Sequence, residues 1–199
     1  MPGTPIVGQS PIASNGAVHL SGTGAPEGVV PAAPGSTWLQ IDASNDVKGW
    51  IRWVKATGTW DTGWIAGPEA DTGWRNVTCE NAVWDQAFKF RIRRKDSRVV
   101  VQARLGSTSG GVWAGLLYTL PAGFRASEYM AYSPALISFY NTGEKCTVAF
   151  DTTGSLSTLG LIPTNGATAP STSQPLYLNG ETSWTTNDPW PSSLPGSAA

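Results

Sequence analysis

The sequence predicts an all-β fold, and three observations support this prediction. The chain contains 23 glycines and 15 prolines among its 199 residues, a content that interrupts helices and favours turns. Charged residues make up only 14% of the chain, whereas roughly 25% is usual in soluble domains. Apolar residues occur in short alternating runs divided by turn residues, a pattern typical of many short strands.

Composition also limits the functions that the chain can perform. The formal net charge of −1 argues against nucleic acid or an anionic membrane as a partner. No run approaches the roughly 20 apolar residues of a membrane span, and the opening MPGTPIVGQSPIASNG lacks the pattern of a signal peptide. The two cysteines, Cys79 and Cys146, are too few for a disulfide scaffold. We expect folding in a reducing cytosol, and whether the two cysteines pair stays open.

The first part of the chain predicts an extended arm. Residues 1–35 are mostly Gly, Pro, Ala, Ser and Thr with scattered Val and Ile. Such a segment cannot form a core alone, because it has too little apolar surface to offset the entropy of ordering. We therefore expect it to be an attachment arm that partners order.

Residues 36–73 predict a small Trp-rich β neck. TWLQID, GWIRWVK and TGWIA read as short strands separated by Asn-Asp, Thr-Gly and Asp-Thr-Gly turns. So short a segment, with few aliphatic residues, would struggle to close a core of its own. Packing against copies of itself would solve this, and indole rings suit such half-apolar interfaces. The tryptophans concentrated here are Trp38, Trp50, Trp53, Trp60, Trp64 and Trp74.

From residue 74 onward the pattern predicts an antiparallel β head. In FKFRIRRK the apolar Phe88, Phe90 and Ile92 alternate with basic residues, and an Asp96-Ser97 turn leads into SRVVVQARL. This period of two on both sides of a tight turn is typical of a β-hairpin. Further strands are predicted in GVWAGLLYTL, ALISFY, KCTVAF, SLSTLGLI and PLYLNG, and the best helix candidate is the short ASEYMAY.

The motif Asp-Thr-Gly-Trp occurs twice, at Asp61–Trp64 and at Asp71–Trp74. An acid protease needs two carboxylates about 3 Å apart in a hydrophobic cleft, and two closely spaced copies in Trp-rich sequence do not fit this requirement. In the alternative, Asp caps a turn, Gly supplies a positive φ and Trp begins the next strand. We interpret both copies as turns, one closing the neck and one opening the head.

No residue set is predicted to be catalytic, to bind a cofactor or to hold a metal, and we expect no enzyme. The single histidine, His19, has no nearby partner for a triad or a metal site. The acidic residues show no local pairing of the kind that glycosidases use. The basic run from Lys89 to Lys95 is interpreted as a solvated or subunit-facing surface rather than a polymer-binding site.

Aromatic residues of the head suit two roles equally. They could stack on sugar rings, or they could belong to the core and to subunit interfaces. The ligand-binding residues are therefore left unknown. The aromatic residues concerned are Trp113, Tyr118, Tyr129, Tyr132 and Tyr140.

Three stretches together resemble a known group of proteins. GTGAPEGVVPAAPGSTWLQID followed by GWIRWVKATGTWDTGW resembles a module in tail and fibre proteins of tailed bacteriophages, particularly those of actinobacterial hosts. DTGWRNVT leading to FKFRIRRKDSRVVVQARL is similar to the opening of the β-sandwich head that follows this module. LPAGFRASEYMAY and SWTTNDPWPSSLPGSAA are similar to later motifs of that head. The residues that carry this last match are Pro121, Gly123, Phe124, Arg125, Trp184, Trp190 and Pro191.

This resemblance implies a structural virion protein, assembled in the host cytoplasm. It would be a homotrimeric minor tail or fibre protein whose jelly-roll-like β-sandwich head, residues 74–199, binds the host surface, for example a glycan. The arm, residues 1–35, would attach to other virion proteins, and its shortness favours a compact appendage over a long fibre. The alternatives are a capsid head fibre or decoration protein without a receptor role, and a glycan depolymerase.

Overall fold

The computed structural model describes residues 10–11, 16–58, 60–80, 84–85, 90–107, 114–128, 130–133, 145–150, 153–162 and 177–199. Within these residues the chain forms strands and no helix, which confirms the all-β class. No described segment is a helix with the length and hydrophobicity needed to cross a membrane. The chain divides into two compact units, the N-terminal unit (Met1–Gly73) and the C-terminal unit (Trp74–Ala199).

Most of the described strands coincide with predicted segments; the exceptions are the strands at 10–11, 18–22, 75–76, 84–85, 130–133 and 197–198. They are β1 (Ser10–Pro11), β2 (Val18–Gly22), β3 (Thr37–Gln40), β4 (Ile51–Lys55), β5 (Trp64–Ala66), β6 (Arg75–Asn76), β7 (Trp84–Asp85), β8 (Phe90–Lys95), β9 (Arg98–Ser107), β10 (Ala114–Thr119), β11 (Met130–Ser133), β12 (Lys145–Phe150), β13 (Ser155–Ile162), β14 (Tyr177–Thr185) and β15 (Ser197–Ala198).

The N-terminal unit contains one five-stranded sheet in the order β1-β2-β3-β4-β5. The β2–β3 pair is parallel and the other pairs are antiparallel. Side chains alternate between the two faces of each strand, as the pleat requires. In β4 the side chains of Ile51, Trp53 and Lys55 are buried, and that of Arg52 is exposed. The register places Trp38 opposite Trp53 on the same buried face.

The segment predicted as an arm differs from expectation, because much of it belongs to this unit. Strand β2 pairs with β3, and the chain after it covers the buried face of the sheet. The indole N–H of Trp38 donates to the Gly24 carbonyl at 3.0 Å, and that of Trp64 to the Val30 carbonyl at 3.0 Å. A buried indole N–H needs an acceptor, and backbone carbonyls of this segment supply it. Residues 1–9 and 12–15 lie outside the described residues.

The C-terminal unit contains two sheets. One has the order β10-β13-β12-β11, and the other has the order β14-β9-β8-β6-β15 with β7 also paired to β9. The predicted hairpin is confirmed: β8 pairs with β9 through Asp96-Ser97, and Asp96 has φ of 54°. One hydrophobic cluster draws side chains from both sheets. Its members include Phe90, Ile92, Val99, Val101, Leu117, Leu120, Phe124, Leu156 and Trp184.

Other predictions for the head have mixed outcomes. The helix candidate ASEYMAY is wrong, since Met130–Ser133 forms β11 and pairs with β12; this non-local pairing overrides the weak local preference for a helix. The predicted strand ALISFY lies outside the described residues. Cys79 is buried in the core cluster. The side chain of Cys146 lies outside the described part of the chain. Pairing of Cys79 with Cys146 therefore stays open.

Candidate subunit interface

The doubled Asp-Thr-Gly-Trp motif forms turns, as interpreted from the sequence. Gly63 has φ of 88° and Gly73 has φ of 67°, in the region that favours glycine. The Asp71 carboxylate accepts a hydrogen bond from the Gly73 amide at 2.8 Å. The Asp71 amide in turn donates to the Asp46 carboxylate at 2.7 Å. Asp71 is therefore a turn-forming residue, and Trp64 begins β5.

The tryptophans on the inner face of the N-terminal sheet belong to the core of a single chain. Trp38, Trp53 and Trp64 are all at most 6% exposed. The indole N–H of Trp53 donates to the Gln40 side-chain oxygen at 3.0 Å, so each of the three rings has a hydrogen-bond acceptor. These rings are not accessible to another subunit. The sequence analysis expected other copies of the chain to complete the core of the short Trp-rich segment, whereas residues of the predicted arm in the same chain complete it.

Motif residues hold this core together. The Glu27 carboxylate accepts hydrogen bonds from the Gly63 amide at 3.1 Å and the Trp64 amide at 2.7 Å. The Glu27 carboxylate thus joins the Pro-Glu-Gly segment to the first Thr-Gly-Trp turn. The Gly35 amide donates to the Lys55 carbonyl at 2.8 Å, and the Lys55 amide donates to the Ser36 carbonyl at 2.9 Å. The Pro-Glu-Gly segment, the Gly-Ser segment and the Thr-Gly-Trp turn therefore contact one another within one unit.

Lys55 is a charged residue inside the N-terminal unit, with only 1% of its surface exposed. Its ammonium donates to the carbonyl oxygens of Trp60, at 3.1 Å, and of Thr62. It also lies 5.7 Å from the centroid of the Trp64 ring. A buried ammonium requires such partners, so Lys55 fixes the turn between β4 and β5.

Large apolar side chains are exposed mainly on the N-terminal unit. Among the residues whose side chains are described, six of the seven exposed ones belong to it. The register pairs Leu39 with Arg52 and Val54 with Ile65 on the outer face of the sheet, opposite the tryptophans. The six residues are Val29, Leu39, Ile41, Val47, Trp60 and Ile65, and the one in the C-terminal unit is Leu116.

A cavity of about 400 Å³ opens on this unit, and we call it the Trp50 cavity. The Lys48 ammonium lies 4.4 Å from the centroid of the Trp50 ring and 3.7 Å from an Asp46 carboxylate oxygen. The Arg52 Nε lies 3.6 Å from a Glu69 carboxylate oxygen. The site thus combines apolar walls with two cations. Its lining residues are Leu39, Ile41, Lys48, Gly49, Trp50 and Arg52.

The basic strand β8 of the C-terminal unit contacts its own chain. The guanidinium carbons of Arg91 and Arg93 lie 4.6 Å and 5.9 Å from the centroid of the Trp74 ring. Arg91 Nε also donates to the Gln102 side-chain oxygen at 2.8 Å. These contacts favour a structural role over binding of an anionic polymer.

Arg94 lies on the buried side of the same strand and ties together distant motifs. Its guanidinium donates to the carbonyl oxygens of Gly123 at 2.6 Å, Pro189 at 2.8 Å and Asp188 at 3.0 Å. Its Cζ lies 5.1 Å from the centroid of the Trp190 ring. Burial lowers the pKa of Arg94 to about 10, and the negative charges of Asp188 and Asp96 partly counter this lowering. The guanidinium therefore remains charged at neutral pH.

The late head motifs meet around this arginine. The Asp188 carboxylate accepts from the Gly123 amide at 2.8 Å, and the Trp184 indole donates to the Phe124 carbonyl at 2.9 Å. A Cβ on Gly123 would lie 2.7 Å from the Pro191 ring, so only glycine fits there. Motif residues some sixty positions apart are thus packing partners, and their role is to build the unit.

The remaining candidates for chemistry are not brought together. His19 is exposed, and its Nδ1 lies 2.6 Å from the Thr37 hydroxyl. Within the described residues, no group of three or more His, Cys, Asp or Glu side chains is placed to hold a metal ion. Tyr118 packs edge-on against Phe90 with centroids 5.8 Å apart. Trp113, Tyr129 and Tyr140, and the side chain of Tyr132, lie outside the described part.

Comparisons with known protein families, with curated proteins and with solved structures find no match. The exposed apolar surface of the N-terminal unit is therefore the feature that carries a functional conclusion. Sequence reasoning assigned this role to tryptophans and missed the aliphatic residues. The available signal was the alternation in TWLQ and IRWVK, where Leu39 and Val54 fall on the face opposite to Trp38 and Trp53.

Proposed function

We propose that the chain is a structural virion protein of a tailed bacteriophage, a homotrimeric tail or fibre appendage. The N-terminal unit joins the three copies, and the C-terminal unit is a β-sandwich head that binds the host cell surface. The observation that carries the assembly is the apolar surface of the N-terminal unit, which holds six of the seven large apolar side chains that are exposed among the described residues.

Burial of the exposed apolar residues between copies would contribute favourable free energy to their association. Burying one fully exposed large aliphatic side chain contributes about 1.5–3 kcal/mol, and Leu39, Ile41, Val47 and Ile65, which are 36–61% exposed, would each contribute part of this amount. In a cyclic trimer each copy uses two surfaces, one toward each neighbour. Several such residues per contact would offset the loss of translational and rotational freedom on association.

The phage assignment is supported by the resemblance of its motifs and by their placement. In the N-terminal unit Glu27 contacts the first Thr-Gly-Trp turn. In the C-terminal unit the Trp184 indole contacts Phe124. Motifs that resemble those of one protein group are thus mutually dependent packing elements, as expected if they specify one fold. The core cluster shared by both sheets supports the sandwich form of the head.

The oligomeric state is tested by native mass spectrometry and light scattering on the full chain. We expect a trimer for the natural sequence. Ile65→Glu should weaken assembly because it places a carboxylate on the outer face, whereas Leu116→Glu, a matched change in the C-terminal unit, should not. A monomeric natural protein, or equal loss in both variants, would contradict the proposal.

The virion role is tested by labelling intact particles with an antibody and by binding the fluorescent protein to host cells. Label at the tail together with cell binding is the expected result. Label on the capsid without cell binding would instead identify a decoration protein. Release of oligosaccharides from host glycan by the pure protein would identify a depolymerase.

A further inference from the structure

The N-terminal unit displays one indole ring to solvent from a tightly held turn. Trp60 is 73% exposed, although its backbone has φ of 58°, which is costly for a bulky residue. The Trp60 carbonyl accepts hydrogen bonds from the Ala32 amide at 2.9 Å and from the buried Lys55 ammonium at 3.1 Å. The next carbonyl, of Asp61, accepts from the Gly28 amide at 2.9 Å. The indole is therefore presented by a rigid and strained backbone rather than by a loose loop.

The Trp50 cavity lies toward the opposite end of the same strand. Trp50 and Arg52 line it at the start of β4, whereas Lys55, which holds the Trp60 turn, ends β4. At about 3.4 Å per residue, these points are roughly 10–17 Å apart along the strand. One copy therefore cannot be expected to fill its own cavity with its own Trp60.

The cavity has the chemistry that recognises an indole. Its walls include Leu39 and Ile41, and its volume of about 400 Å³ is large enough for a two-ring side chain. Lys48 already lies over the Trp50 ring at 4.4 Å, and the Arg52 side chain is 57% exposed. Cations attract the negative face of an aromatic ring, most strongly that of Trp. The cavity thus offers apolar walls to an indole, and the Arg52 guanidinium, although paired with Glu69, is exposed enough to contact the ring face.

We propose that Trp60 of one copy inserts into the Trp50 cavity of the next copy. Because the inserting residue and the cavity lie at different ends of the strand, the contact is head-to-tail, and three such contacts close a ring. This inference rests on the proposed trimer and names its central contact. An exposed Trp that enters an apolar pocket is the kind of residue that dominates binding energy at an interface.

The first test replaces the inserting side chain. Trp60→Ala should raise the dissociation constant of each contact by about thirtyfold or more, the factor given by a hot-spot loss of about 2 kcal/mol. Val29→Ala, at an exposed apolar position of the same unit outside the cavity, is the control and should change it less than about threefold. Both positions are exposed, so both variants should fold. The measurement is analytical ultracentrifugation over a dilution series of the full chain.

The second test pairs two defective variants. Ile41→Glu places a carboxylate in the cavity wall but keeps Trp60, and Trp60→Ala keeps the cavity, so each alone should be largely monomeric. Mixed in equal amounts, they should form a one-to-one heterodimer through one intact contact, visible by native mass spectrometry. Val29→Glu is the charge control for Ile41→Glu and should leave the trimer intact.

The outcomes separate this inference from the proposed function. A natural chain that is monomeric would overturn both. A natural trimer that survives Trp60→Ala as well as it survives Val29→Ala would overturn the insertion and leave the trimer standing. A mixture of Trp60→Ala and Ile41→Glu that stays monomeric would overturn the pairing of this indole with this cavity.

Discussion

The two units of the chain differ in the share of tryptophan in their cores and in the large apolar side chains that they expose. The N-terminal unit buries tryptophans whose N–H groups are satisfied by hydrogen bonds, and it exposes aliphatic residues such as Ile41 and Ile65. The C-terminal unit fully buries Ile92, Val99 and Leu120. Among its described side chains, only one large apolar residue is exposed.

This difference shows how a small unit can fold while large aliphatic side chains stay exposed. A small unit buries a smaller fraction of its surface on folding than a large one. Each indole buries roughly 150–250 Å², so a few tryptophans suffice to close it, together with polar groups that form a hydrogen-bonded interior. The aliphatic residues are then left for another surface. The buried polar residues of the unit are Ser36, Gln40, Asp46, Lys55, Asp71 and Thr72.

The largest expected effect tests whether the indole core supports its own unit alone. Trp38→Ala should lower the free energy of unfolding of the N-terminal unit by about 3–5 kcal/mol, because it leaves a large cavity. Hydrogen exchange with mass spectrometry should show lost protection in β2–β5 and unchanged protection in β8 and β9. Equal loss of protection in both units would contradict the claim that the indole core stabilises the N-terminal unit alone.

The second prediction concerns the C-terminal unit. Arg94→Met should lower the free energy of unfolding by at least about 3 kcal/mol, because several buried carbonyl oxygens lose a charged donor. Arg98→Met is the control and should change it by less than about 0.5 kcal/mol, since Arg98 is exposed and donates to the Ser183 hydroxyl. Urea unfolding followed by near-ultraviolet circular dichroism measures both. Similar effects of the two changes would contradict the structural role assigned to Arg94.

The third prediction concerns Gly22, which packs closely against the Trp38 ring. A Cβ on Gly22 would lie 2.4 Å from the Trp38 ring. Gly22→Ala should therefore cost about 1–3 kcal/mol through overpacking, while Ser21→Ala on the neighbouring position should be nearly neutral. Thermal unfolding of the two variants measures the difference. A neutral Gly22→Ala would show that the tryptophan core is more adaptable than its packing suggests.

The smallest effect is a pH dependence confined to the C-terminal unit. Burial, together with the charge of Glu80, raises the pKa of Tyr118. A raised pKa means that stability is complete below the ordinary value of about 10 and is lost as pH rises through the folded-state pKa. Natural protein should therefore lose more stability above pH ~10 than Tyr118→Phe, measured by urea unfolding at several pH values. Identical alkaline profiles would contradict this assignment.

Strand positions and turns were predictable because their signals are local. The alternation in FKFRIRRK and SRVVVQARL predicted the β8–β9 hairpin, and Asp-Thr-Gly predicted turns with glycine at positive φ. The role of residues 16–35 was not predictable from composition. Their carbonyl oxygens accept hydrogen bonds from the Trp38 and Trp64 indoles. These contacts are non-local, so composition does not reveal them.

The all-β class, most of the strand segments and the turn chemistry could be predicted from the sequence, because period-two patterning and glycine conformations act over a few residues. The buried face of β3 and β4, in contrast, depends on the tertiary structure. Either face of TWLQ or IRWVK has apolar residues, and the choice depends on the segment that covers it. Once residues 24–30 supply acceptors for the indoles, the tryptophans become core, and Leu39 and Ile65 are left on the surface that we propose joins the subunits.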